Sequence, residues 1–403
     1  MATIRPFDGQ LVTDAFARDV PTPAHDAMTG QQRRMHVGAH AHTYLRVERT
    51  VGDGVTDTAD AELVLREGRA ALEELLSVGA FEPTGRSLYL YRLETEGHCQ
   101  TGVVAELDST DVVAGRVKPH EAVSTDKAQH LAAHFDVVGA QSSPILLGVR
   151  DRAGLAEVLT ELTCREPDRV VDAGDGVRQT VWVVADDAEV DRLTAAVRNE
   201  DLYVIDGHHR VAATALHHGA HPDDPAARWT LAVIYPTAEL QVHEYNRIVS
   251  DLGARSSSEI LDALREIGDL TPCEQGDDPR PRHSGQLGVH VDGMWWTLEL
   301  PRADEADVVA RLDPTRFENE ILPIAFGIPP DDPLGQVAHV GPNTTAGQLA
   351  AKADRLGGCA VLMHPLAIDH ILDVADAGRF LPRKSTYFAP KARSGIFLRQ
   401  QPS

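Results

Sequence analysis

The stretch at residues 201–219, DLYVIDGHHRVAATALHHG, constrains the fold of this chain more than any other part of its sequence. The apolar run at 202–205 predicts a buried strand, and the residues after a tight turn predict a helix that Gly219 ends. The first turn of a helix has unpaired backbone N–H groups and the positive end of the helix dipole, so it attracts anions. The strand-to-helix junction therefore predicts an anion-binding site.

The junction consists of Asp206, Gly207, His208, His209 and Arg210. Gly207 lets a ligand approach the backbone without a Cβ in the way, and the guanidinium of Arg210 can bind a phosphate through two parallel hydrogen bonds. His208 and His209 add further donors, while Asp206 could hold Mg²⁺ or orient a neighbouring histidine. The chain has no GxxxxGK[ST] motif, so the junction predicts a phosphate-binding site of another kind. The alternative is an ordinary helix start, capped by Asp206, in which both histidines are incidental.

Length and composition limit the class of protein. A chain of 403 residues is too long for one hydrophobic core, so we expect two or three domains, and 42% hydrophobic residues exclude a disordered chain. The formal charge of −23 argues against binding to nucleic acid or to an anionic membrane. Four cysteines without CxxC spacing, no signal pattern at the N-terminus and no apolar run of ~20 residues predict a cytoplasmic protein.

The remaining patterns predict a mixture of helices and strands. A hairpin is expected where the runs 87–94 and 101–108 flank a turn, whereas residues 1–55 look irregular. The segment 341–348 predicts a helix start capped by Asn343 or Thr344. Further helices are predicted within 59–79, 124–136, 151–200 and 345–377, further strands at 143–149, 180–186, 230–236 and 395–398, and a loop at 276–285.

The DGHHR sequence of the junction resembles the signature of the ParB/sulfiredoxin-like superfamily, and in particular that of its free L-serine kinases. Those kinases also carry a KPHE segment, and residues 118–121 of this chain read KPHE. A KTT-like phosphate-binding motif lies near their C-terminus, and residues 384–386 here read KST. Shorter similarities to a large bacterial family of unassigned proteins related to these kinases lie at 4–7, 43–48, 87–94, 142–145, 244–249 and 384–391.

The resemblance implies an α+β fold. A ParB/sulfiredoxin-like nucleotide-binding catalytic domain is expected at residues 101–250. An N-terminal α/β region at 1–100 would precede it, and a C-terminal α/β lobe at 251–403 would complete the nucleotide site.

The resemblance also implies an activity, the transfer of a phosphoryl group from ATP or ADP to the hydroxyl of a free amino acid, with L-serine as the expected acceptor. Such a transfer needs a base, donors that neutralise the phosphates and usually a divalent ion. Glu121 is then the catalytic base, His120 positions the substrate and Asp206 binds Mg²⁺. The residues expected to bind nucleotide phosphates are Asp206, Gly207, His208, His209, Arg210, Lys384, Ser385 and Thr386.

Several residues of this chain differ from those of the related families, and the differences disfavour some of the functions of those families. His208 stands where sulfiredoxins have a nucleophilic cysteine, so sulfinic-acid chemistry has no thiol to use. The chain is acidic and shows no helix-turn-helix pattern, which disfavours the DNA-associated function of ParB proteins. Tyr387 replaces an expected basic residue, and Ser385 and Thr386 could equally well cap loop backbone. The main alternative is a non-catalytic, nucleotide-binding regulatory protein, for which the base Glu121 would have no use.

Two groups of histidines could bind a transition metal. Because the chain has 19 histidines, chance clustering is the expected explanation, and no cysteine or acidic partner stands at ligand spacing nearby. We therefore expect neither group to bind metal. The two groups are His36, His40 and His42, and His217, His218 and His221.

Overall fold

The computed structural model describes residues 3–23, 28–51, 53, 60–250, 252, 255–274, 276–303, 307–330, 332 and 334–401. The chain divides into two compact units. The first contains Met1–Pro119, Val123–Leu240 and Pro390–Ser403, and the second contains His120–Ala122 and Gln241–Ala389. The first unit thus includes residues on both sides of position 100, and the three-part division of the sequence stays a prediction.

Strands account for much of the described chain in both units. Those of the first unit are β1 (Ile4–Arg5), β2 (Phe7–Val12), β3 (Phe81–Thr95), β4 (His98–Asp108), β5 (Val117–Lys118), β6 (Ala140–Gln141), β7 (Ile145–Val149), β8 (Arg169–Asp172), β9 (Arg178–Val184), β10 (Leu202–Asp206) and β11 (Trp229–Pro236). Those of the second are β12 (Val242–His243), β13 (Asn246–Val249), β14 (Asp269–Pro272), β15 (Gln286–Val291), β16 (Met294–Glu299), β17 (Val337–Val340), β18 (Cys359–Leu362) and β19 (Tyr387–Phe388). The last strand, β20 (Phe397–Gln400), returns to the first unit.

Helices complete each unit. The first has α1 (Gly30–Ala39), α2 (Ala61–Ser77), α3 (Ser109–Val113), α4 (Thr125–Val138), α5 (Leu155–Leu162), α6 (Asp187–Arg198) and α7 (His208–Ala220). The second has α8 (Ser257–Ile267), α9 (Asp313–Arg316), α10 (Ala346–Arg355) and α11 (Ile368–Asp376), with a π-helical segment, Phe317–Phe326, after α9. Among the described residues no helix has the length and apolarity needed to cross a membrane.

The first unit is built on one large sheet with the strand order β5-β10-β7-β11-β4-β3-β2-β20-β6, to which β1, β8 and β9 are attached. Both faces of the central strand β3 are covered. Leu88 and Leu90 join one core, while Tyr89 and Tyr91 contact the ring of Phe397 on the other side. This double burial explains why the run 87–94 alternates only imperfectly between apolar and polar residues.

Two of the neighbouring strand pairs in this sheet are parallel. Strand β10 runs parallel to β5, with Leu202 opposite Val117 and Tyr203 opposite Lys118, and β7 runs parallel to β11. Parallel neighbours end at the same edge of a sheet. Strand β5 ends at Lys118, opposite Tyr203, whereas β10 continues for three more residues to Asp206.

The second unit has a six-stranded sheet with the order β14-β16-β15-β18-β13-β17. Helix α8 and the π-helical segment pack on this sheet and contribute Ile260, Leu264 and Phe317 to its core. A separate pair, β12 and β19, joins the start of the unit to its end, with Val242 opposite Phe388.

The mixed α and β architecture predicted from the sequence is confirmed, with three local corrections. Residues 1–55 are not uniformly irregular, because β2 is held as a strand by its distant neighbours β3 and β20. Helix α10 is capped by Thr345, whose side chain forms a capping box with Gln348, and not by Asn343 or Thr344. The last strand begins at Phe397 and not at residue 395, since Gly395 has the left-handed φ of +83°.

Candidate functional site

The DGHHR junction lies in the first unit, where β10 ends at Asp206 and α7 begins at His208. Gly207 is the N-cap residue of α7 and has a φ of +93°, a left-handed conformation that glycine adopts without strain. A Cβ at this position would lie 2.7 Å from Nε and Nη2 of Arg210. The junction therefore requires glycine both for its backbone conformation and for its packing.

Asp206 does not cap the helix as the alternative interpretation had it. One carboxylate oxygen accepts a hydrogen bond from Nη2 of Arg210 at 2.8 Å, and the other accepts one from Nζ of Lys391 at 2.8 Å. Burial by itself would raise the pKa of Asp206, but Lys391 and Arg210 outweigh it and hold that pKa well below its usual range. Asp206 is therefore ionised at neutral pH and is paired with two cations.

The charge balance at Asp206 bears on the expected magnesium ion. Mg²⁺ is usually bound through one or two carboxylates together with substrate phosphates. Here the single carboxylate of the junction is already neutralised by Lys391 and Arg210, both within 2.8 Å. Asp206 thus lacks the excess negative charge of a magnesium ligand.

The guanidinium of Arg210 is engaged by protein groups. Its Nη1 donates to the hydroxyl of Ser143 and to the carbonyl oxygen of Pro144, the latter at 2.8 Å, while its Nη2 donates to Asp206. Its charge also acts on Glu48, whose pKa is nevertheless raised by burial. Arg210 thus fixes the loop before β7 to the junction, and its expected role in binding phosphate stays a prediction.

The two histidines of the junction have different surroundings. His208 is buried, and its charge is among those that lower the pKa of Asp206. His209 is partly exposed, and its Nε2 accepts a hydrogen bond from the backbone N–H of Ser124 at 3.1 Å. Since Ser124 is the N-cap of α4, His209 connects the starts of α4 and α7.

The other predicted residues lie in the second unit. His120 is buried, with its Nε2 at 3.3 Å from Oγ1 of Thr386, and its carbonyl oxygen accepts a hydrogen bond from the N–H of Leu381 at 2.9 Å. Glu121 pairs with Leu381 in an isolated parallel bridge. Tertiary folding thus brings the KPHE histidine to the KST loop across 266 positions of the sequence.

In and next to the KST loop, Lys384 and Tyr387 both contact Tyr245, whereas Ser385 bonds to the loop backbone. Lys384 has a left-handed φ of +57°, and its Nζ lies 3.4 Å from the hydroxyl of Tyr245 and 5.2 Å from the centre of that ring. Ser385 is buried and donates to the carbonyl oxygen of Pro382 at 2.7 Å, which is the loop-capping role left open above. Tyr387 contacts the ring of Tyr245, with 5.4 Å between ring centroids.

The structure thus gathers the predicted residues into two groups. Residues 206–210 lie together in the first unit, and His120, Glu121 and residues 384–386 belong to the second. Sequence reasoning missed Lys391, whose ion pair with Asp206 belongs to the first group. A signal was present, because two of the five lysines of this acidic chain fall within the segment 384–391.

Several solved structures are similar to this chain. A free serine kinase in complex with AMP has a TM-score of 0.37 and 9% identity, over 73% of this chain and 91% of that one. A truncated SbnI from Staphylococcus aureus has a TM-score of 0.37 and 11% identity, over 73% and 85%. A conserved hypothetical protein from Pyrococcus furiosus has a TM-score of 0.35 and 9% identity, over 73% and 94%.

Sequence comparison identifies the family of this chain. No curated protein matches it significantly. Residues 4–315, well over half of the chain, match the family described as "Protein of unknown function (DUF1015)", and the chain therefore belongs to that family.

Proposed function

We propose that this protein transfers a phosphoryl group from ATP or ADP to the hydroxyl of a free amino acid, with L-serine as the acceptor. One observation carries the proposal. The KPHE segment begins at the last residue of β5 and the DGHHR segment at the last residue of β10, a parallel neighbour that extends three residues beyond the pairing of Tyr203 with Lys118. The crevice outside the carboxyl ends of strands is where ligands bind in open α/β sheets.

The DGHHR junction binds the phosphates of the nucleotide in this proposal. The first backbone N–H groups of α7 attract anions, and the guanidinium of Arg210 lies beside Gly207 at the start of the helix. Lys391 adds a cation, and its ion pair with Asp206 holds the ammonium in place.

Glu121 accepts the proton of the acceptor hydroxyl. The hydroxyl oxygen forms a bond to the terminal phosphorus, the bond from that phosphorus to the nucleotide breaks, and the shortened nucleotide leaves. A positioned base contributes about 10²–10⁴-fold to such a step. His120 directly precedes Glu121, and its Nε2 lies 3.3 Å from Oγ1 of Thr386. In this proposal His120 holds the acceptor in position.

A regulatory nucleotide binder without turnover is the second candidate. It is favoured by the partners of Arg210 and Ser385, which both donate to protein groups. The two functions differ in one respect that can be measured directly. Only a kinase produces a phosphorylated amino acid.

The test is mass-spectrometric detection of phosphorylated amino acid after incubation with ATP or ADP. Serine, threonine and homoserine are offered in parallel, and alanine, which lacks only the hydroxyl, is the control acceptor. We expect phosphoserine, because the acceptor hydroxyl completes the reacting geometry and water alone is poorly placed. Absence of any phosphorylated product with either donor would leave the regulatory binder as the function.

The role of Glu121 is tested by Glu121→Gln, which keeps the shape of the side chain and removes the basic oxygen. We expect kcat to fall by at least ~100-fold while nucleotide affinity changes less than a few-fold. Glu96→Gln, at an exposed turn of the first unit, is the matched control and should leave kcat unchanged. A Glu121→Gln enzyme that keeps more than about a tenth of kcat would show that Glu121 is not the base.

A further inference from the structure

A cluster of potential metal ligands lies in the first unit, at the C-terminal end of α7. His217 and His221 are four residues apart and so share one face of the helix. Helix α4 packs against α7 and places Asp136 opposite them. Nδ1 of His217 and Nε2 of His221 each lie 2.8 Å from the same carboxylate oxygen of Asp136. All three ligand atoms lie within 4.8 Å of one another.

The ring of His217 supplies a second and independent observation. Its side chain is only 5% exposed, and its Nδ1 lies 2.8 Å from the carboxylate oxygen of Asp136. The other ring nitrogen, Nε2, lies 3.0 Å from the side-chain nitrogen of Gln401, which fixes the orientation of the ring. His217 thus directs a buried ring nitrogen into the cluster.

The donor set and its surroundings suit a divalent transition metal. Two imidazole nitrogens and one carboxylate oxygen are ligands that Zn²⁺ prefers, and three protein ligands leave a position for water. The side chains of Asp136 and His221 are each 43% exposed, so an ion can enter from solvent. The carboxylate and the negative end of the α7 dipole both favour a cation at this place.

We propose that Asp136, His217 and His221 bind one divalent transition-metal ion of the Zn²⁺ type. This revises the expectation that neither histidine group binds metal, since two histidines of the second group join a carboxylate 85 positions before His221. His218 takes no part in the set. The proposal does not depend on the kinase activity proposed above.

The test is a Co²⁺ titration of the full-length, untagged protein after removal of metals with a chelator. Co²⁺ bound to nitrogen and oxygen ligands gives a visible absorption band, and Zn²⁺ should abolish that band by competition. We expect one equivalent of Co²⁺ to bind. Both Asp136→Asn and His221→Ala should weaken binding at least ~10-fold, whereas the neighbouring His218→Ala should leave it unchanged.

Thermal unfolding provides a readout that does not depend on absorption. Because the ion joins α4 to α7, a saturating amount of Zn²⁺ should raise the Tm of the wild type by several degrees and that of Asp136→Asn by much less. His221 is exposed at the end of its helix, so its replacement by alanine leaves a folded protein on which to measure binding. Lack of stoichiometric binding, or equal losses in His218→Ala and His221→Ala, would overturn the proposal.

Discussion

At the scale of single residues, the ion pair between Asp206 and Lys391 supports the candidate site. The two residues are 185 positions apart, and the side chain of Lys391 is only 9% exposed. Removing one partner of a buried ion pair leaves an uncompensated charge. The stability lost in this way exceeds the stabilisation that the intact pair provides. The lysine is therefore part of the structural support of the junction as well as a source of positive charge.

We expect Lys391→Met to destabilise the first unit by about 1–3 kcal/mol at pH 7, because Asp206 keeps its charge and loses a hydrogen-bonded cation. The measurement is urea-induced unfolding. Lys352→Met, on the exposed face of α10, is the matched control and should change stability by less than about 0.5 kcal/mol. Equal effects of the two substitutions would contradict the assigned role of Lys391.

Arg247 creates an unusual electrostatic environment in the second unit. It is fully buried, its Nη1 donates to the carbonyl oxygen of Tyr245 at 2.8 Å, and its Nε and Nη2 make no hydrogen bond within the described residues. Burial raises the pKa of Glu318 to about 7 in spite of Arg247. Burial together with Arg247 lowers the pKa of His339 to about 4.

These two shifts have opposite effects on the pH dependence of stability. The folded state favours protonated Glu318, so stability falls as pH rises from its ordinary value of 4.5 to about 7. The folded state favours neutral His339, so stability falls as pH decreases from 6.5 to about 4. Replacing Glu318 or His339 by a residue that does not titrate should remove the corresponding loss of stability.

We expect Glu318→Gln to gain about 1–2 kcal/mol relative to wild type between pH 4.5 and pH 8, after allowance for screening by solvent. His339→Gln should gain less, and in the opposite direction between pH 6.5 and pH 4, because His339 is exposed to solvent. Urea unfolding at several pH values measures both. Parallel pH profiles for the wild type and both variants would refute the pKa directions.

At the level of elements, α7 carries parts of both proposed sites. Its N-terminal end forms the anion-attracting junction, and its C-terminal end carries the histidines of the proposed metal site. The two ends are separated by 13 residues, which corresponds to roughly 20 Å of helix. The helix also has a glycine at each end, Gly207 and Gly219, and these two differ in their surroundings.

We expect Gly207→Ala to destabilise the protein by about 2 kcal/mol or more, because alanine is strained at the φ of +93° and its Cβ would displace Arg210. Gly219→Ala is the control within the same helix, since nothing lies within 4 Å of its Cβ position. It should be neutral or stabilise by up to about 1 kcal/mol. Unfolding in urea distinguishes the two, and a Gly207→Ala protein as stable as the wild type would show that the junction does not require glycine.

At the level of the whole molecule, the second unit is largely an insertion into the first. The chain leaves the first unit after Leu240 and returns at Pro390. The two ends of that excursion are close together, because Glu239 accepts a hydrogen bond from the N–H of Thr101 at 2.6 Å and Pro390 accepts one from Gln100 at 3.3 Å. The returning segment supplies β20, which lies between β2 and β6.

We therefore expect a fragment of residues 1–240 not to unfold cooperatively, since β2 loses a neighbour and Glu106 loses its hydrogen bond from Arg399. Joining residue 240 to residue 390 through a short Gly/Ser linker should restore a cooperative transition, because the linked ends are adjacent. Circular dichroism during urea titration measures both. A fragment 1–240 as stable as the linked protein would show that β20 is dispensable.

Local sequence patterns determined the elements that contain their own signals. The helix at Ala61–Ser77, the β3–β4 hairpin and the passage from β10 to α7 could be predicted because periodicity and turn residues act over a few positions. The candidate residues at 206–210 were identified in the same way, from a glycine and its polar neighbours at a helix start. Strand β2 could not be predicted, since its strand conformation depends on partners far away in the sequence.

Tertiary structure alone decided which of these residues act together. The pairing of Asp206 with Lys391, the approach of His120 to Thr386 and the meeting of Asp136 with His217 each join residues that no local pattern relates. The physical reason is that ion pairs and shared ligands depend on distances of a few ångströms in space. Those distances arise only when the sheets and helices that carry the residues have packed.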